Sequence, residues 1–426
     1  MKILETERDS ADAVAAAIAP PVPGTDSEVE KTVREIIADV KARGDAALLE
    51  LGRKFDAPEL ADLRVSEEEF EEACASIKPE LLQALRRAKS NIEDFHRKQL
   101  PKSWIETQDG IVRGQLVIPI GTVGIYAPAR LAPLPSSVLM TAIPAAIAGV
   151  QRIVLCCPPQ KDGKVCGPML VAARECGVGE VFKIGGAGAA AAMAFGTQTI
   201  PKVDKIVGPG SVYFNEAKRQ LFGVVGIDQF AGPSEILVLA DDTANAAHIA
   251  ADLISQAEHA PDSRCALFTD SRDLAAAVLD EVKKQTALAG RKEFVQQSLD
   301  EFGVVIIGRS IEECIELANS FAPEHLEIQT AQPWEVAWKI RNAGAIMVGP
   351  HTPVPLCDFA AGPNHTLPTG GTARFSSPLG VEDFVKKSGL LSVSQEALAG
   401  LAPTVIEMAE AEGLDAHANT VRIRLT

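Results

Sequence analysis

The sequence predicts an α/β protein with two Rossmann-like parallel-sheet units, a helical N-terminal region and a C-terminal helical tail. First, 426 residues are more than one ordinary hydrophobic core requires, so two or more domains are expected. Second, short apolar runs alternate with helical patterns from about residue 113, which is typical of parallel strands joined by crossover helices. Third, this alternation occurs in two successive series, which favours two units and fits an ancient duplication.

The chain before the first series is predicted to be mostly helical. Residues 1–25 form an N-terminal extension, and residues 26–112 form a helical region that we expect to pack on the second α/β unit. Ser27 with Glu30 three positions later is a capping-box pattern, and apolar residues follow at helical spacing. A second helical pattern is dense in charge, which is typical of a solvated face.

The two α/β units are predicted at residues 113–230 and 231–380. The strand patterns of the first are "LVIPIGTVGIYAP", "RIVLCCPP", "EVFKIGG" and "VDKIVGPG", each followed by a helical pattern. The second runs from "SEILVLADD" to "GAIMVGP" and ends in an irregular stretch rich in Gly and Pro, residues 349–380. Residues 381–426 are predicted to be a helical tail that ends in a strand-like run. Because head and tail belong to neither sheet, we expect them to contact a partner chain in a homo-oligomer.

The composition excludes several classes of function. A formal net charge of −16 argues against binding to nucleic acid or to an anionic membrane surface. No apolar run approaches the length of a membrane span, and the charged N-terminus lacks the apolar core of a secretory signal. The eight cysteines are scattered, without a C-x-x-C pair, and several lie in strand-like or helical runs. They indicate a reduced, cytoplasmic protein.

Two glycine-rich turns follow strand patterns in the first unit. Gly186, Gly188 and Ala191 match a dinucleotide-binding turn superficially, in which glycines let a pyrophosphate approach a helix N-terminus. The acidic residue expected about 20 positions later is Asp204, but it stands at the start of its strand pattern. The second turn, "VGPGS" at residues 207–211, also opens a helix. Either turn binds phosphates or simply reverses the chain.

Two short stretches place polar residues where chemistry is plausible. In "FAPEHLEIQ", Glu324 and His325 stand where a strand begins, which indicates either a solvated loop edge or a general base beside a carboxylate that tunes it. In "SQAEHAPDS", Gln256 and His259 share a face at the end of a helix that Pro261 terminates. This histidine either complements the helix dipole or, with Gln256, binds a metal.

Further candidates lie in the irregular stretch and in the tail. Asp358 and His365 occur in a loop with few other titratable groups, and loops on α/β scaffolds often carry sites. Glu412 and His417 lie in the tail, where a lone histidine is ordinary. Ser-x-x-Lys, Gly-x-Ser-x-Gly and Walker patterns do not occur, which disfavours acyl hydrolysis and phosphate transfer. The residues alone thus indicate a two-unit α/β enzyme, with metal and dinucleotide use left open.

Five segments together resemble the histidinol dehydrogenase family. They are "VDKIVGPG" with the following "EAKRQ", "GIDQFAGPSEILVLAD", "DLISQAEHAPDS", "FAPEHLEIQ" and "AGPNHTLPTGGTARFSSPLG". The resemblance extends from "DVKARGDAALLELGRKFD" to "LDAHANTVRIRL", nearly the whole chain. It implies a zinc-dependent homodimer that uses NAD twice to take L-histidinol through the aldehyde to L-histidine, the last step of histidine biosynthesis.

The resemblance also implies roles for individual residues. Those implied to bind one zinc ion per subunit are Gln256, His259, Asp358 and, from the partner subunit's tail, His417. The implied base is His325, and Glu324 is implied to activate the water that adds to the aldehyde. Residues implied to contact the substrate are Ser234, Gln256, His259, Glu324, Asp358, His365, Glu412 and His417. Those implied on the cofactor side are Tyr126, Gly188 and Ser211.

The sequence departs from the family pattern on the cofactor side. Gly188 stands where the family has glutamine, Ser211 where it has asparagine, and Ala129-Arg130 where it has two glycines. An amide both donates and accepts, which glycine cannot reproduce and serine reproduces only in part. Each lost hydrogen bond would weaken cofactor binding by about 0.5–1.5 kcal/mol.

Three functions follow from these residues. The first is oxidation of L-histidinol, because every implied zinc ligand, base and substrate residue is present. The second is oxidation of another small alcohol by a paralogue, for example an anionic sulfonated diol that Arg130 would suit. The third is a zinc-binding module without oxidoreductase activity, which the intact Glu324-His325 pair disfavours.

Overall fold

A computed structural model describes residues 1–20, 27–129, 133–230 and 232–425. It confirms the α/β class with parallel sheets and helical terminal regions. Among the described residues no helix is long and apolar enough to cross a membrane. The N-terminal part contains β1 (Lys2–Glu5), α1 (Ala11–Ile18), α2 (Ser27–Arg43), α3 (Asp45–Phe55), α4 (Glu67–Ser76) and α5 (Pro79–Arg97), followed by the hairpin strands β2 (Trp104–Gln108) and β3 (Ile111–Pro119).

The first parallel sheet follows the hairpin. Its elements are β4 (Thr122–Tyr126), α6 (Pro135–Ala148), β5 (Arg152–Cys157), α7 (Gly167–Glu175), β6 (Glu180–Lys183), α8 (Gly186–Phe195), β7 (Lys205–Val207), α9 (Val212–Leu221) and β8 (Gly226–Ile227). The strand order is β6-β5-β4-β7-β8, all parallel. Counted along the unit this is 3-2-1-4-5, a doubly wound order with its switch point between β4 and β7.

The second sheet repeats this order. Its elements are β9 (Glu235–Ala240), α10 (Ala246–Ala257), β10 (Arg264–Thr269), α11 (Arg272–Thr286), α12 (Lys292–Phe302), β11 (Gly303–Ile307), α13 (Ile311–Phe321), β12 (His325–Gln329), α14 (Pro333–Ala337), β13 (Ala345–Val348) and α15 (Val354–Phe359). The order is β1-β11-β10-β9-β12-β13, all parallel. The predicted N-terminal extension therefore supplies an edge strand, β1, beside β11.

The helical region packs mainly on the first unit, rather than on the second as predicted. Helix α2 contacts α8 and α9, α4 contacts α7, and α5 contacts α6. Phe70 of α4 and Ile92 of α5 share one hydrophobic core with Val138 of α6. The prediction was wrong because helical periodicity gives the apolar face of a helix but not the sheet that this face will cover. A capping box occurs at the start of α4, where Ser66 and Glu69 bond each other's backbone N–H.

The C-terminal tail begins with a strand that the sequence did not indicate. It contains β14 (Val385–Val393), α16 (Gln395–Ala411) and α17 (Asp415–Arg422). β14 pairs antiparallel with β3, whose other neighbour is β2, so residues 111–119 belong to this small sheet rather than to the first unit. The predicted strand-like run at the end is wrong, because residues 415–422 are helical. Large apolar side chains are exposed here, among them Ile105, Leu391, Met408 and Ile423.

Candidate active site

Glu324 and His325 lie at the amino end of β12, in the middle of the second sheet. Helix α13 ends at Phe321. The next residue, Ala322, adopts a left-handed conformation with φ 53°, and Pro323 then leads the chain into the strand. Only 6% of Glu324 and 4% of His325 is exposed. The loop-edge alternative is therefore wrong, since both side chains are buried.

The backbone of Glu235 holds this pair. The Nδ1–H of His325 donates to the carbonyl oxygen of Glu235 at 2.9 Å, and the N–H of Glu235 donates to Oε2 of Glu324 at 2.8 Å. In its neutral form, with the proton on Nδ1, the His325 ring presents a bare Nε2. Among the described residues this atom has no hydrogen-bond partner, and it lies 3.6 Å from Oδ1 of Asp358. The arrangement orients Nε2 of His325 as a proton acceptor.

The electrostatics of the pair favour proton exchange. Burial raises the pKa of Glu324 to about 8. Burial lowers the pKa of His325, but the negative charges of Glu324 and Asp358 outweigh this effect and raise it to about 9. For Asp358, burial raises the pKa, but the imidazole ring of His325, whose Nε2 lies 3.6 Å from Oδ1, outweighs this effect and lowers the pKa. A base and a carboxyl group that titrate not far above neutral pH suit general acid–base chemistry.

Glu235 is a site residue that the sequence did not reveal. Its side chain is buried, accepts from Nη1 of Arg264 at 3.0 Å and from the N–H of Gly370 at 3.1 Å, and burial raises its pKa. The neighbouring Ser234 is partly exposed, and its carbonyl oxygen accepts from the N–H of Arg264. A charged residue that opens an otherwise apolar strand was the available signal.

The proposed metal ligands of one chain converge on the same end of the sheet. His259, after the end of α10, donates Nδ1–H to the carbonyl oxygen of Ser255 at 3.2 Å, so its Nε2 is oriented for a ligand. The side chains of His365 and His259 lie close enough to Asp358 to interact with its carboxylate electrostatically. Gln256 is buried on the last turn of α10.

Unpartnered buried atoms mark this place as a ligand site. Within the described parts of the chain, Nε2 of Gln256, Nε2 of His325 and Oδ1 of Asp358 are buried and make no hydrogen bond. Such atoms are rare in folded proteins and call for a ligand or an ion. Nitrogen and oxygen donors without a thiolate are compatible with a catalytic zinc ion. The donors present therefore fit the implied metal.

One chain does not complete this set. No group of three His, Cys, Asp or Glu side chains suited to a metal occurs among the described residues. Three of the proposed ligands are His or Asp residues. Within one chain only two of them, His259 and Asp358, lie near each other. His417 is exposed on α17, and its carbonyl oxygen accepts from Oγ1 of Thr420. Glu412 is exposed at the end of α16.

His365 connects the pocket to the first unit. Its Nδ1–H donates to the carbonyl oxygen of Asp358 at 2.9 Å, and its Nε2 lies 3.2 Å from Oγ of Ser137 in α6. The adjacent Asn364 is buried, and its Nδ2 lies 3.3 Å from Nε2 of His96 in α5. The pocket therefore lies against both α/β units.

Tyr126 lies at the switch point of the first sheet. Its hydroxyl accepts from the N–H of Gly186 at 3.2 Å, and its ring stacks on Phe214 with centroids 4.0 Å apart. Dinucleotides bind at such switch points, outside the carboxyl ends of the strands. Ser211 is exposed at the start of α9 and does not cap that helix. Both positions are compatible with their predicted roles.

Gly188 and Asp204 do not lie where a bound dinucleotide would be expected. Gly188 is on a buried face of α8, where an added Cβ would stand 3.1 Å from Cδ1 of Leu51, so the structure gives its cofactor role no support. Asp204 accepts from the N–H of Thr122 at 2.9 Å, at the amino end of the sheet and opposite to the edge where a ribose carboxylate belongs. Arg130 lies outside the described residues.

Gly208 offers a test of the turn beside Tyr126. It has φ 115°, and an added Cβ would lie 2.2 Å from the carbonyl oxygen of Tyr126. Gly223 has a similar φ of 98° but open space around the Cβ position. We expect Gly208→Ala to lower the free energy of unfolding by about 1–3 kcal/mol more than Gly223→Ala, in urea denaturation followed by circular dichroism. Equal losses would contradict a backbone contact at this turn.

Two doubly wound sheets with a buried histidine–carboxylate pair are typical of an α/β enzyme with an acid–base site. A family model described as histidinol dehydrogenase matches residues 23–425. The chain belongs to the histidinol dehydrogenase family, whose members are NAD-dependent oxidoreductases.

Individual relatives cover the chain almost completely. It is 50% identical over 398 residues to histidinol dehydrogenase from Bacillus subtilis, with 93% of each chain covered. The corresponding protein of Geobacter sulfurreducens is 48% identical over 429 residues and covers 100% of both chains. A crystal structure of histidinol dehydrogenase from Elizabethkingia anophelis superposes with a TM-score of 0.94, at 39% identity, over 100% of this chain and 98% of that one.

Proposed function

We propose that the protein oxidises L-histidinol through L-histidinaldehyde to L-histidine, the last step of histidine biosynthesis, with two NAD reduced per substrate. The observation that carries this proposal is the buried Glu324-His325 pair, oriented by the backbone of Glu235, in a chain that aligns over its length with histidinol dehydrogenases. An alcohol oxidation needs a base beside the substrate, and Nε2 of His325 is such an atom.

The residues of the pocket suit both oxidations. In the first, Nε2 of His325 accepts the hydroxyl proton of the alcohol while the carbon loses hydride. In the second, Glu324 in its ionised form takes a proton from the water that adds to the aldehyde, and His325 acts again as base. NAD, when bound, accepts the hydride in each oxidation. Because both groups are buried in one pocket, the reactive aldehyde is shielded from bulk water.

Zinc is the proposed metal, held by Gln256, His259 and Asp358 of one chain and by His417 of a second chain. The support is the set of unpartnered buried donors and the Nδ1–H bond that orients His259. When bound, the ion supplies positive charge that orients and polarises the substrate. The role of this chain is to fix the donors through α10 and α15.

A homodimer with shared pockets is the proposed assembly. His417 and Glu412 are exposed on the tail of a single chain, and the tail and its small sheet expose several large apolar side chains. Such a surface favours contact with a partner. We further propose a cytoplasmic location, which the eight free and mostly buried cysteines support.

The deciding assay follows NADH absorbance while a limiting amount of L-histidinol is consumed by the zinc-loaded protein. We expect two NADH per histidinol, with L-histidine identified chromatographically as the product. One NADH per substrate would indicate that oxidation stops at the aldehyde. No turnover with histidinol, but turnover with another small alcohol, would favour a paralogue. Bound zinc without any turnover would favour an inactive module. Growth of a histidine auxotroph on histidinol would test the function in cells.

A further inference from the structure

A buried polar cluster lies beneath the pocket and has no role in the mechanism above. It consists of Asp252 on α10 and Glu327 and Gln329 on β12, which are 8%, 1% and 4% exposed. Nε2 of Gln329 donates to Oδ2 of Asp252 at 3.1 Å and to Oε2 of Glu327 at 3.0 Å. The two carboxyl groups also hydrogen-bond each other. This cluster will be called the carboxyl cluster.

The two carboxyl groups share a proton. Within the described parts of the chain neither group forms an ion pair with a lysine or arginine. Burial raises the pKa of Asp252, and burial together with the neighbouring Asp252 raises the pKa of Glu327 to about 9. Two adjacent buried carboxylates cannot both be ionised at neutral pH, so one is protonated and donates to the other. The cluster is then a neutralised hydrogen-bonded link rather than a site of repulsion.

The carboxyl cluster joins the three elements that carry the proposed site. Oε1 of Glu327 accepts from the N–H of Val354 at 2.9 Å, in the first turn of α15, and Asp358 follows one turn later. On β12, Glu327 stands two residues after His325 and on the same face, because strand side chains alternate. The position of Glu327 is thereby linked to both a proposed ligand and the base.

Helix and strand geometry also relates the position of Gln256 to the carboxyl cluster. It follows Asp252 by four residues on α10, about 6 Å along the helix. His325 precedes Glu327 by two residues, about 6–7 Å along the strand. Helix α10 runs antiparallel to the strands it covers, so both steps lead from the carboxyl cluster to the amino end of the sheet. Gln256 and His325 therefore lie at similar distances from the carboxyl cluster, both toward the amino end of the sheet.

We propose that Glu327 is a positioning residue that ties α10, β12 and α15 together and so fixes the spacing of the metal donors Gln256 and Asp358. Asp252 is its partner in this role. The inference rests on the proposed zinc site. Groups behind the direct ligands often change metal affinity or activity by 10–100-fold when they are removed.

The test is metal binding, measured apart from turnover. Zinc affinity is determined by competition with a chromogenic chelator, and Co²⁺ is titrated while its visible absorption spectrum is recorded. We expect Glu327→Leu to weaken zinc binding by about 10–100-fold and to alter the Co²⁺ spectrum. Glu327→Gln should keep most of the affinity and the spectrum, because the amide oxygen accepts from Val354 and the amide nitrogen donates to Asp252, while only the bond accepted from Gln329 is lost.

A matched control removes a carboxylate that is bonded in a similar way but lies away from the pocket. Oε2 of Glu313 accepts from the N–H of Arg309 at 2.7 Å and from Oγ1 of Thr6 at 2.7 Å, at the carboxyl-end side of the second sheet. Glu313→Leu should leave zinc affinity unchanged. If Glu327→Leu does not fold, Asp252→Leu and Asp252→Asn provide the same comparison from the α10 side, with the loss expected only for leucine.

The outcomes separate the inference from the function on which it rests. Unchanged zinc affinity in folded Glu327→Leu and Asp252→Leu overturns the positioning role while the zinc site stands. An equal loss in Glu327→Gln and Glu327→Leu overturns the hydrogen-bonded link as its cause. Failure of the wild-type protein to bind zinc or Co²⁺ overturns the proposed metal site and the inference together.

Discussion

Replacing His325 by alanine is expected to slow histidinol oxidation by about 10²–10⁴-fold, the usual contribution of a positioned base. The variant loses the bare Nε2, which lies 3.6 Å from Oδ1 of Asp358 and has no protein partner among the described residues. Zinc affinity should be largely retained, because His325 is not one of the proposed ligands. Initial rates of NADH formation, with zinc content measured on the same preparation, check both expectations.

His325→Asn is the matched control for structural damage. Its amide nitrogen can still donate to the carbonyl oxygen of Glu235, as Nδ1 does in the native protein. It has no basic nitrogen, so we expect a loss as large as in His325→Ala. Substantial turnover by the asparagine variant would contradict the assignment of His325 as the base.

The pH profile provides an independent signature of the same residue. The pKa of His325 is raised to about 9, so the neutral, proton-accepting ring becomes more abundant as the pH increases from 7 toward 9. The wild-type rate should therefore rise with pH over this range. A cation near Asp358 lowers this pKa and moves the rise to lower pH. The part of the rise that His325 causes should be lost in both variants, which leaves the contribution of Glu324, whose pKa is about 8.

Mixing two inactive variants is expected to restore about one quarter of wild-type activity. His325→Ala has a damaged pocket and an intact tail, whereas His417→Ala has an intact pocket and a damaged tail. In a two-fold dimer with exchanged tails, a mixed dimer contains one pocket with every group intact and one pocket with both lesions. Equal amounts that pair at random give about half mixed dimers, each with one of two sites working.

Co-expression with two affinity tags makes this experiment decisive. Purification through both tags isolates the mixed dimer, whose activity should approach half that of the wild type, whereas each parent alone should be nearly inactive. A mixed dimer that is confirmed by mass but remains inactive would rule out exchange of His417 between subunits. Mixing His325→Ala with Glu324→Ala is the control, because both lesions lie in the pocket and no site becomes complete.

The sequence predicted the sheets well because their strands are buried on both faces. Continuous apolar runs such as β9 and β11 stand out from amphipathic helices. Strand β1 was missed because it is only four residues long and is recognisable only beside its partner β11. Strand β14 was missed because polar and charged residues interrupt it and most of it faces solvent. Both strands form because they pair with strands far away in the sequence, and local sequence periodicity does not reveal such pairing.

The candidate site was predicted in its parts but not in its arrangement. Glu324 and His325 were visible because a histidine beside a carboxylate at a strand start is unusual. Glu235 was missed because its contribution to the pair is made by its backbone N–H and carbonyl groups. The carboxyl cluster was missed because Asp252 and Glu327 are 75 residues apart in the chain and become a pair only when α10 packs on β12.

The exposed position of His417 has a consequence for the newly made chain. A single chain brings Glu324, His325, Asp358 and His259 to one end of the second sheet, whereas His417 is exposed to solvent on α17. If the pockets are shared as proposed, a newly made chain lacks one zinc ligand. It therefore binds zinc weakly and is inactive until it pairs with a second chain. Assembly then acts as the switch that starts oxidation. Because an unpaired chain cannot start the oxidation, it also cannot release the reactive aldehyde intermediate into the cell.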